Sequence, residues 1–275
     1  MMADYLLSSV HCHSSLCDGK QTLREMAEAA VRQGLKTIGF TGHSHTPCDL
    51  EYCMSPENTV RYREEIRKLR DEYAGRLEIL CGLEWDQFSD TDPSDFDYYI
   101  ASVHYIRGPK TGRYYAVDWQ EQDLRNCIEQ EFDGDALAMT AHYFSRVAEI
   151  AGRHPQILGH FDLIKKLNGS GMFFDEGSPR YRKAAEAALE QAVTGCRILE
   201  INTGAVSRGY RRDFYPADFL LKRWRELGGD VVITADAHST DTLTAYFNEA
   251  AGAAKRVGYR QVMVLTGHGF EACRI

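Results

Sequence analysis

"VHCHSSLCDGKQTLREMAEAA", residues 10–30, ends a short apolar run with two histidines one residue apart, places an aspartate five residues after the second, and then starts a helix. Side chains two apart at a strand end project from the same face, so His11 and His13 can grip one cation while Cys12 points away. Asp18 lies beyond the turn, within reach of a neighbouring ion. Thr22 and Glu25 carry the spacing of a capping box, and the helix they open stops near Gly34.

The same grammar recurs along the chain. Short apolar runs rich in Ile, Val and Leu predict strands at 5–10, 36–41, 77–83, 97–103, 157–160, 197–201, 231–235 and 261–266. Amphipathic segments lie between most of them. One is capped by Ser55 with Pro56 at its first helical position, and others cover about 136–153, 180–194, 216–227 and 241–256. Strand and helix alternation of this kind predicts an α/β fold with a parallel sheet. Seven of the strands run into polar residues: "SSVHCH", "IGFTGH", "LCGLE", "IASVH", "ILGHFD", "ILEIN" and "ITADAH". Seven strand ends can converge only around a common centre, which favours a barrel over an open sheet. No repeat or linker divides the chain, so residues 1–275 are expected to form a single domain.

Composition narrows the partners. The 275 residues are 44% hydrophobic, enough for a substantial core, and the net charge of −8 argues against nucleic acid or an anionic membrane. No run approaches eighteen uninterrupted apolar residues, and no basic segment followed by a long apolar run opens the chain, so the expected location is cytoplasmic. The eight cysteines are scattered without a CxxC pair, which predicts reduced thiols.

A single histidine at a strand end is usually a structural hydrogen-bonding residue. Here seven of the ten histidines fall at strand ends or in the loops that follow. Mixed imidazole and carboxylate donors suit Zn²⁺, Fe²⁺ or Mn²⁺ better than Mg²⁺ or Ca²⁺. Glu84 can bridge two metals with its two oxygens, and His104 and His160 can complete a second ion. Asp236 and His238 repeat the spacing of His11 and His13 and can face different ions.

These motifs, "HCHSSLCDG", "TGHS", "GLEWD", "SVHYIRG", "GHFDLIKKL", "LEINTG" and "ADAHS", resemble in order and interval those of the polymerase and histidinol phosphatase (PHP) superfamily, and most of all its monofunctional histidinol-phosphate phosphatases. The resemblance spans residues 11 to about 240. It implies a distorted (β/α)7-like barrel with three divalent metals at the C-terminal ends of the strands. One metal would be held by His11, His13, Glu84 and Asp236, a second by Glu84, His104 and His160, and a third by Asp18, His43 and His238. Some relatives carry His at the position of Asp18, and a carboxylate there hardens the third site.

The implied activity is hydrolysis of L-histidinol phosphate, a step of histidine biosynthesis, by in-line attack of a metal-bridging hydroxide without a covalent intermediate. Asp236 or His238 would assist the leaving alkoxide. Arg208 in "NTGAVSRG", at a position where relatives often carry Arg, and Arg107 in "SVHYIRG" are candidates to hold the phosphate, with Lys165 and Lys166 behind them. The substrate's ammonium would meet the acidic loop 84–97, or Asp49 and Glu51. His45 is a possible substrate contact; His142, His154 and His268 read as structural. The alternatives are a PHP-type enzyme acting on a nucleotide or sugar phosphate, an amidohydrolase, and a non-catalytic metal-binding domain. The amidohydrolase is disfavoured because no strand-end lysine lies near Glu84 or His104. The binding domain is disfavoured because all nine matched positions carry competent ligands.

Overall fold

The computed structural model describes residues 4–275. Strands β1 (Ser8–Cys12), β2 (Thr37–Phe40), β3 (Glu78–Asp86) and β4 (Tyr98–Ser102) are followed by β5 (Tyr105–Arg107) and β6 (Tyr114–Ala116). Then come β7 (Ile157–Leu158), β8 (Ile198–Asn202), β9 (Asp230–Thr234), β10 (Gln261–Thr266) and β11 (Gly269–Arg274). Nine of them form one sheet in the order β1-β2-β3-β4-β7-β8-β9-β10-β11, parallel except at the β10–β11 hairpin, while β5 and β6 pair separately.

The sheet curls into the expected distorted barrel. At the top, the segment after β9 meets β1: His13 N–H donates to the Ala237 carbonyl at 2.8 Å and Ala237 N–H to the His11 carbonyl at 2.9 Å. At the bottom, β10 fills the gap, pairing with β9 and accepting at the Leu265 carbonyl a hydrogen bond from Ser8 Oγ at 2.9 Å. Seven parallel strands therefore ring the axis and the eighth wedges the seam.

Helices α1 (Leu23–Arg32), α2 (Pro56–Tyr73), α3 (Glu121–Phe132), α4 (Ala136–Ala151), α5 (Pro179–Gly195), α6 (Gly204–Ser207), α7 (Asp218–Glu226) and α8 (Phe247–Arg256) surround the sheet. The capping box is present: Thr22 N–H donates to Glu25 Oε2 at 2.8 Å and Glu25 N–H to Thr22 Oγ1 at 3.2 Å. Ser55 caps α2 as its sequence indicates, accepting from Asn58 N–H at 3.1 Å. With helices outside and side chains inside, the strands bury both faces, which explains their continuous apolar runs. Two cores result. A large one lies between helices and sheet, and a small one fills the barrel with Val10, Leu80, Tyr98, Ile100, Ile157, Val232 and Leu265. Tyr98 crosses the barrel to donate to the Val10 carbonyl at 2.7 Å, over Gly82, where a Cβ would collide with its ring.

Two expectations are corrected, and three features are new. Tyr5 and Leu6, read as the start of a strand, sit in a 3-10 turn, and β1 instead continues through His11 to Cys12. Residues 241–246, read as helix, precede α8, which begins at Phe247 after Tyr246 in the left-handed conformation (φ 60°). The β5–β6 hairpin, α3 and β11 had no counterpart in the sequence pattern.

Candidate metal centre

Barrel geometry delivers each polar residue to the same end. His11 lies in β1 and His13 just beyond it, held by the two seam hydrogen bonds to Ala237. His43 follows β2 and is bridged in parallel to Glu84 on β3. His104, His160 and Asp236 each stand two residues past the ends of β4, β7 and β9, so each repeats the facing of its strand's last residue.

Glu84 is the hub. It is 1% exposed, and five imidazoles approach its two oxygens. To Oε2, His11 Nε2 comes within 3.3 Å, His13 Nε2 within 3.4 Å and His43 Nδ1 within 3.1 Å. To Oε1, His104 Nε2 comes within 3.3 Å and His160 Nε2 within 2.8 Å, with Ser102 Oγ donating at 2.9 Å. Asp236 Oδ1 lies 3.2 Å from His13 Nε2 and 3.7 Å from His11 Nε2. Asp18 faces His13 Nδ1 at 3.3 Å, His238 Nε2 at 3.0 Å and His43 Nε2 at 3.7 Å.

All nine residues expected as ligands thus converge. Metal-competent sets form around His13, Asp18, His43 and His238; around His11, His13 and Asp236; and around His43, Glu84 and His104, the donor atoms of each lying within 4.8 Å of one another. His13 and His43 each belong to two sets, so the partition is less sharp than the three separate ligand lists suggest.

The donor set fits divalent cations on its own chemistry. Buried His11 Nε2, His13 Nε2 and Glu84 Oε2 have no hydrogen-bond partner among the described residues, although both nitrogens lie within 3.4 Å of the carboxylate oxygen. Such atoms are costly to bury unless something binds them, and a cation accepts all three lone pairs. The electrostatics agree. Burial alone would raise the Glu84 carboxyl, yet His43, His11 and His104 hold it well below the usual carboxylate range. Burial would likewise lower the His11 imidazole, but Glu200, Glu84 and Asp236 outweigh it and raise it well above its ordinary value. The site is built to stabilise positive charge at this point.

The pattern of "LEIN" alone singles out no role for Glu200. Fully buried on β8, it takes His11 Nδ1 at 2.9 Å and accepts from Thr234 Oγ1 at 2.7 Å and Asn202 Nδ2 at 3.0 Å. It therefore fixes the tautomer that presents Nε2 to the centre. A carboxylate two residues before Asn202, on the inward face of a strand, was the available signal. Glu200→Gln is expected to weaken metal affinity about 10- to 100-fold with little change in fold, as measured by competition with a chelating dye. Asp86 plays a similar part for His104, accepting its backbone N–H at 3.1 Å and lying 3.3 Å from Nδ1.

The mouth above the centre is a cavity of about 780 Å³. Arg208 lines it and is tied to Asp236, from Nη2 to Oδ2 at 3.0 Å and from Nη1 to the backbone carbonyl at 2.8 Å. Asp236 takes a left-handed φ of 49°, which turns that carbonyl toward both Arg208 and His238 Nδ1, the latter at 2.9 Å. Gly204 allows the approach, since a Cβ there would stand 2.9 Å from Arg208 Nη2. Arg107 does not line the cavity: it is exposed on β5, with its guanidinium 5.8 Å from the Tyr114 ring. Lys166 lines it instead. Lys165 is fully buried in an ion pair with Asp162, and His45 pairs with Asp90 at 2.7 Å. Of the histidines read as structural, His142 packs on Phe132, His154 Nδ1 lies 3.0 Å from the Gly195 carbonyl, and His268 is exposed beside β11.

A curled parallel sheet carrying histidines and carboxylates at its C-terminal rim is the pattern of a metal-dependent hydrolase barrel, and residues 9–204 match the family model described as "PHP domain"; the chain belongs to that family. It is 27% identical to a histidinol-phosphatase of Bacillus subtilis over 252 residues, covering 83% of this chain and 92% of that protein. Two solved structures share the fold. One, from Listeria monocytogenes, has a TM-score of 0.75 at 18% identity and covers 88% of this chain and 99% of its own. The other is a histidinol phosphate phosphatase from Lactococcus lactis, complexed with zinc, L-histidinol and phosphate. It has a TM-score of 0.69 at 22% identity, covering 96% of this chain and 98% of its own.

Proposed function

We propose that this chain hydrolyses L-histidinol phosphate to L-histidinol and phosphate, a step of histidine biosynthesis, using three divalent cations drawn from zinc, iron and manganese. The observation that carries the proposal is the Glu84 carboxylate ringed by five imidazole nitrogens at 2.8–3.4 Å. The similarity to a histidinol-phosphatase over 83% of this chain and 92% of that protein supports the substrate. His11, His13, Asp18, His43, Glu84, His104, His160, Asp236 and His238 are the proposed ligands. When bound, the cations supply charge neutralisation for a dianionic phosphate ester and lower the pKa of a bound water toward neutrality.

The chain's own residues do the rest. Arg208, locked by Asp236, presents a fixed guanidinium to the phosphoryl oxygens, where bidentate geometry suits it. Asp236 and His238, both at the cavity wall, are the residues proposed to assist departure of the leaving alkoxide. One continuous nine-stranded sheet supports reading residues 1–275 as one domain. No helix of the described residues is long and apolar enough to cross a membrane. The eight unpaired cysteines support a cytoplasmic location.

Steady-state hydrolysis of L-histidinol phosphate, set beside nucleotide and sugar phosphates with bound metals counted, tests the substrate. Histidinol phosphate is expected to lead in kcat/KM by at least about 100-fold, a margin that polar recognition of its free end can supply. A metal-loaded protein that prefers another ester would overturn the substrate and leave the centre standing.

A further inference from the structure

The cavity is much larger than a phosphate group, and its outer wall carries chemistry that the metal centre does not use. Five carboxylates line it: Asp18, Glu84, Asp86, Asp118 and Asp236. Three belong to the proposed ligand set and Asp86 holds His104, which leaves Asp118. Among the described residues, its side chain takes one hydrogen bond, from Lys166 Nζ to Oδ2 at 2.9 Å, so Oδ1 is free for a second donor. Trp119, the next residue, is 56% exposed and meets Tyr52 edge-on with ring centroids 5.5 Å apart, and both line the same cavity.

This wall is rigidly placed. Val117 N–H donates to the His104 carbonyl at 2.9 Å, which fixes the segment beside a proposed metal ligand. The β5–β6 hairpin that delivers it is anchored by buried Glu131, which accepts from Lys110 N–H at 2.8 Å, Thr111 N–H at 3.1 Å and Tyr115 Oη at 3.0 Å. An exposed indole on an anchored segment, facing a second aromatic ring and adjoining a half-paired carboxylate, is a receptor for a flat ring carrying a nearby cation.

We propose that Asp118 Oδ1 receives the primary ammonium of the substrate while Trp119 and Tyr52 pack its imidazole ring, so that this wall selects an amino-imidazolyl phosphate ester. The assignment rests on the substrate proposed above and locates its recognition after β6, away from Asp49, Glu51 and the 84–97 loop where the sequence had suggested it. Lys166, drawn toward Asp118 and lying 5.0 Å from the Tyr210 ring, keeps the wall from being a bare anion that would repel the phosphate.

Three esters separate the contributions: L-histidinol phosphate, its des-amino analogue 3-(imidazol-4-yl)propyl phosphate, and 2-aminopropyl phosphate, which keeps the ammonium without the ring. Asp118→Asn is expected to shrink the preference for histidinol phosphate over the des-amino ester, taken as a ratio of kcat/KM values, by about 10- to 100-fold, the size of one charge-assisted hydrogen bond. Trp119→Ala is expected to shrink the preference over 2-aminopropyl phosphate by about 3- to 10-fold, the size of one aromatic contact. Ratios cancel any general loss of folded enzyme. If Asp118→Asn lowers all three esters by one factor, Asp118 only positions Lys166 and the subsite fails. If the wild type shows no preference for histidinol phosphate to begin with, the substrate is wrong and the subsite falls with it. A preference that survives in both variants overturns the subsite alone.

Discussion

Glu84→Gln is expected to lower kcat/KM by about 1,000-fold or more and to release metal, because one substitution removes the negative charge that five imidazoles share. Glutamine keeps the volume and one acceptor oxygen, so the packing around β3 survives. Its amide brings N–H donors to a place where His11, His13 and His43 offer lone pairs to a cation. Metal content by mass spectrometry and kcat/KM on the same preparation check this together. Full metal retention with activity within about tenfold of wild type would show that Glu84 is not the bridge.

Lys165→Met is expected to destabilise the fold by about 3–5 kcal/mol, the usual cost of removing one partner of a buried ion pair. Lys165 and Asp162 are both fully buried, with Nζ 2.9 Å from Asp162 Oδ2 and 2.6 Å from Asp213 Oδ2. The sign of the pH dependence follows from Asp162. Burial raises its carboxyl, and Lys165 is the first influence opposing that rise. Without the lysine, the folded-state pKa climbs further above the unfolded one, so the folded variant holds a proton that the unfolded chain has released. Its stability then falls as pH rises through that window and recovers as pH drops toward the unfolded carboxylate range near about 4. Denaturant melts at pH 5 and pH 8 are expected to show a smaller gap between wild type and variant at pH 5. A gap of constant size would mean that Asp162 is not the charge left uncompensated.

The proposed ligands were legible because strand ends in a parallel barrel share one rim and histidine is rare enough to be noticed there. The eight main strands were legible because each is a short, mostly apolar run rich in Ile, Val, Leu or aromatic residues. Residues whose roles depend on a partner were hidden. Glu200 looks like one polar interruption in "ILEIN" until β1 brings His11 beside it. Arg107 and Lys166 are both basic residues following strands, and only the hairpin's direction sends Arg107 outward while Lys166 faces the cavity. That hairpin is itself two three-residue strands in a tyrosine-rich segment, too short to show a period, so Asp118 and Trp119 had no visible reason to meet the site. Tyr5 and Leu6 read as strand because they are apolar, but they pack against the outer core from a turn.

The central claim is that Glu84 and the surrounding histidines hold catalytic metals with the phosphate between them and Arg208. Anomalous diffraction at the zinc edge, from crystals of zinc-loaded protein grown with inorganic phosphate, tests it most directly. The expected result is zinc peaks about 2.0–2.2 Å from the nitrogens of His11, His13, His104 and His160 and from the Glu84 oxygens, with phosphate bridging them to Arg208. Zinc bound elsewhere, or phosphate seated away from Arg208 and the metals, would contradict it.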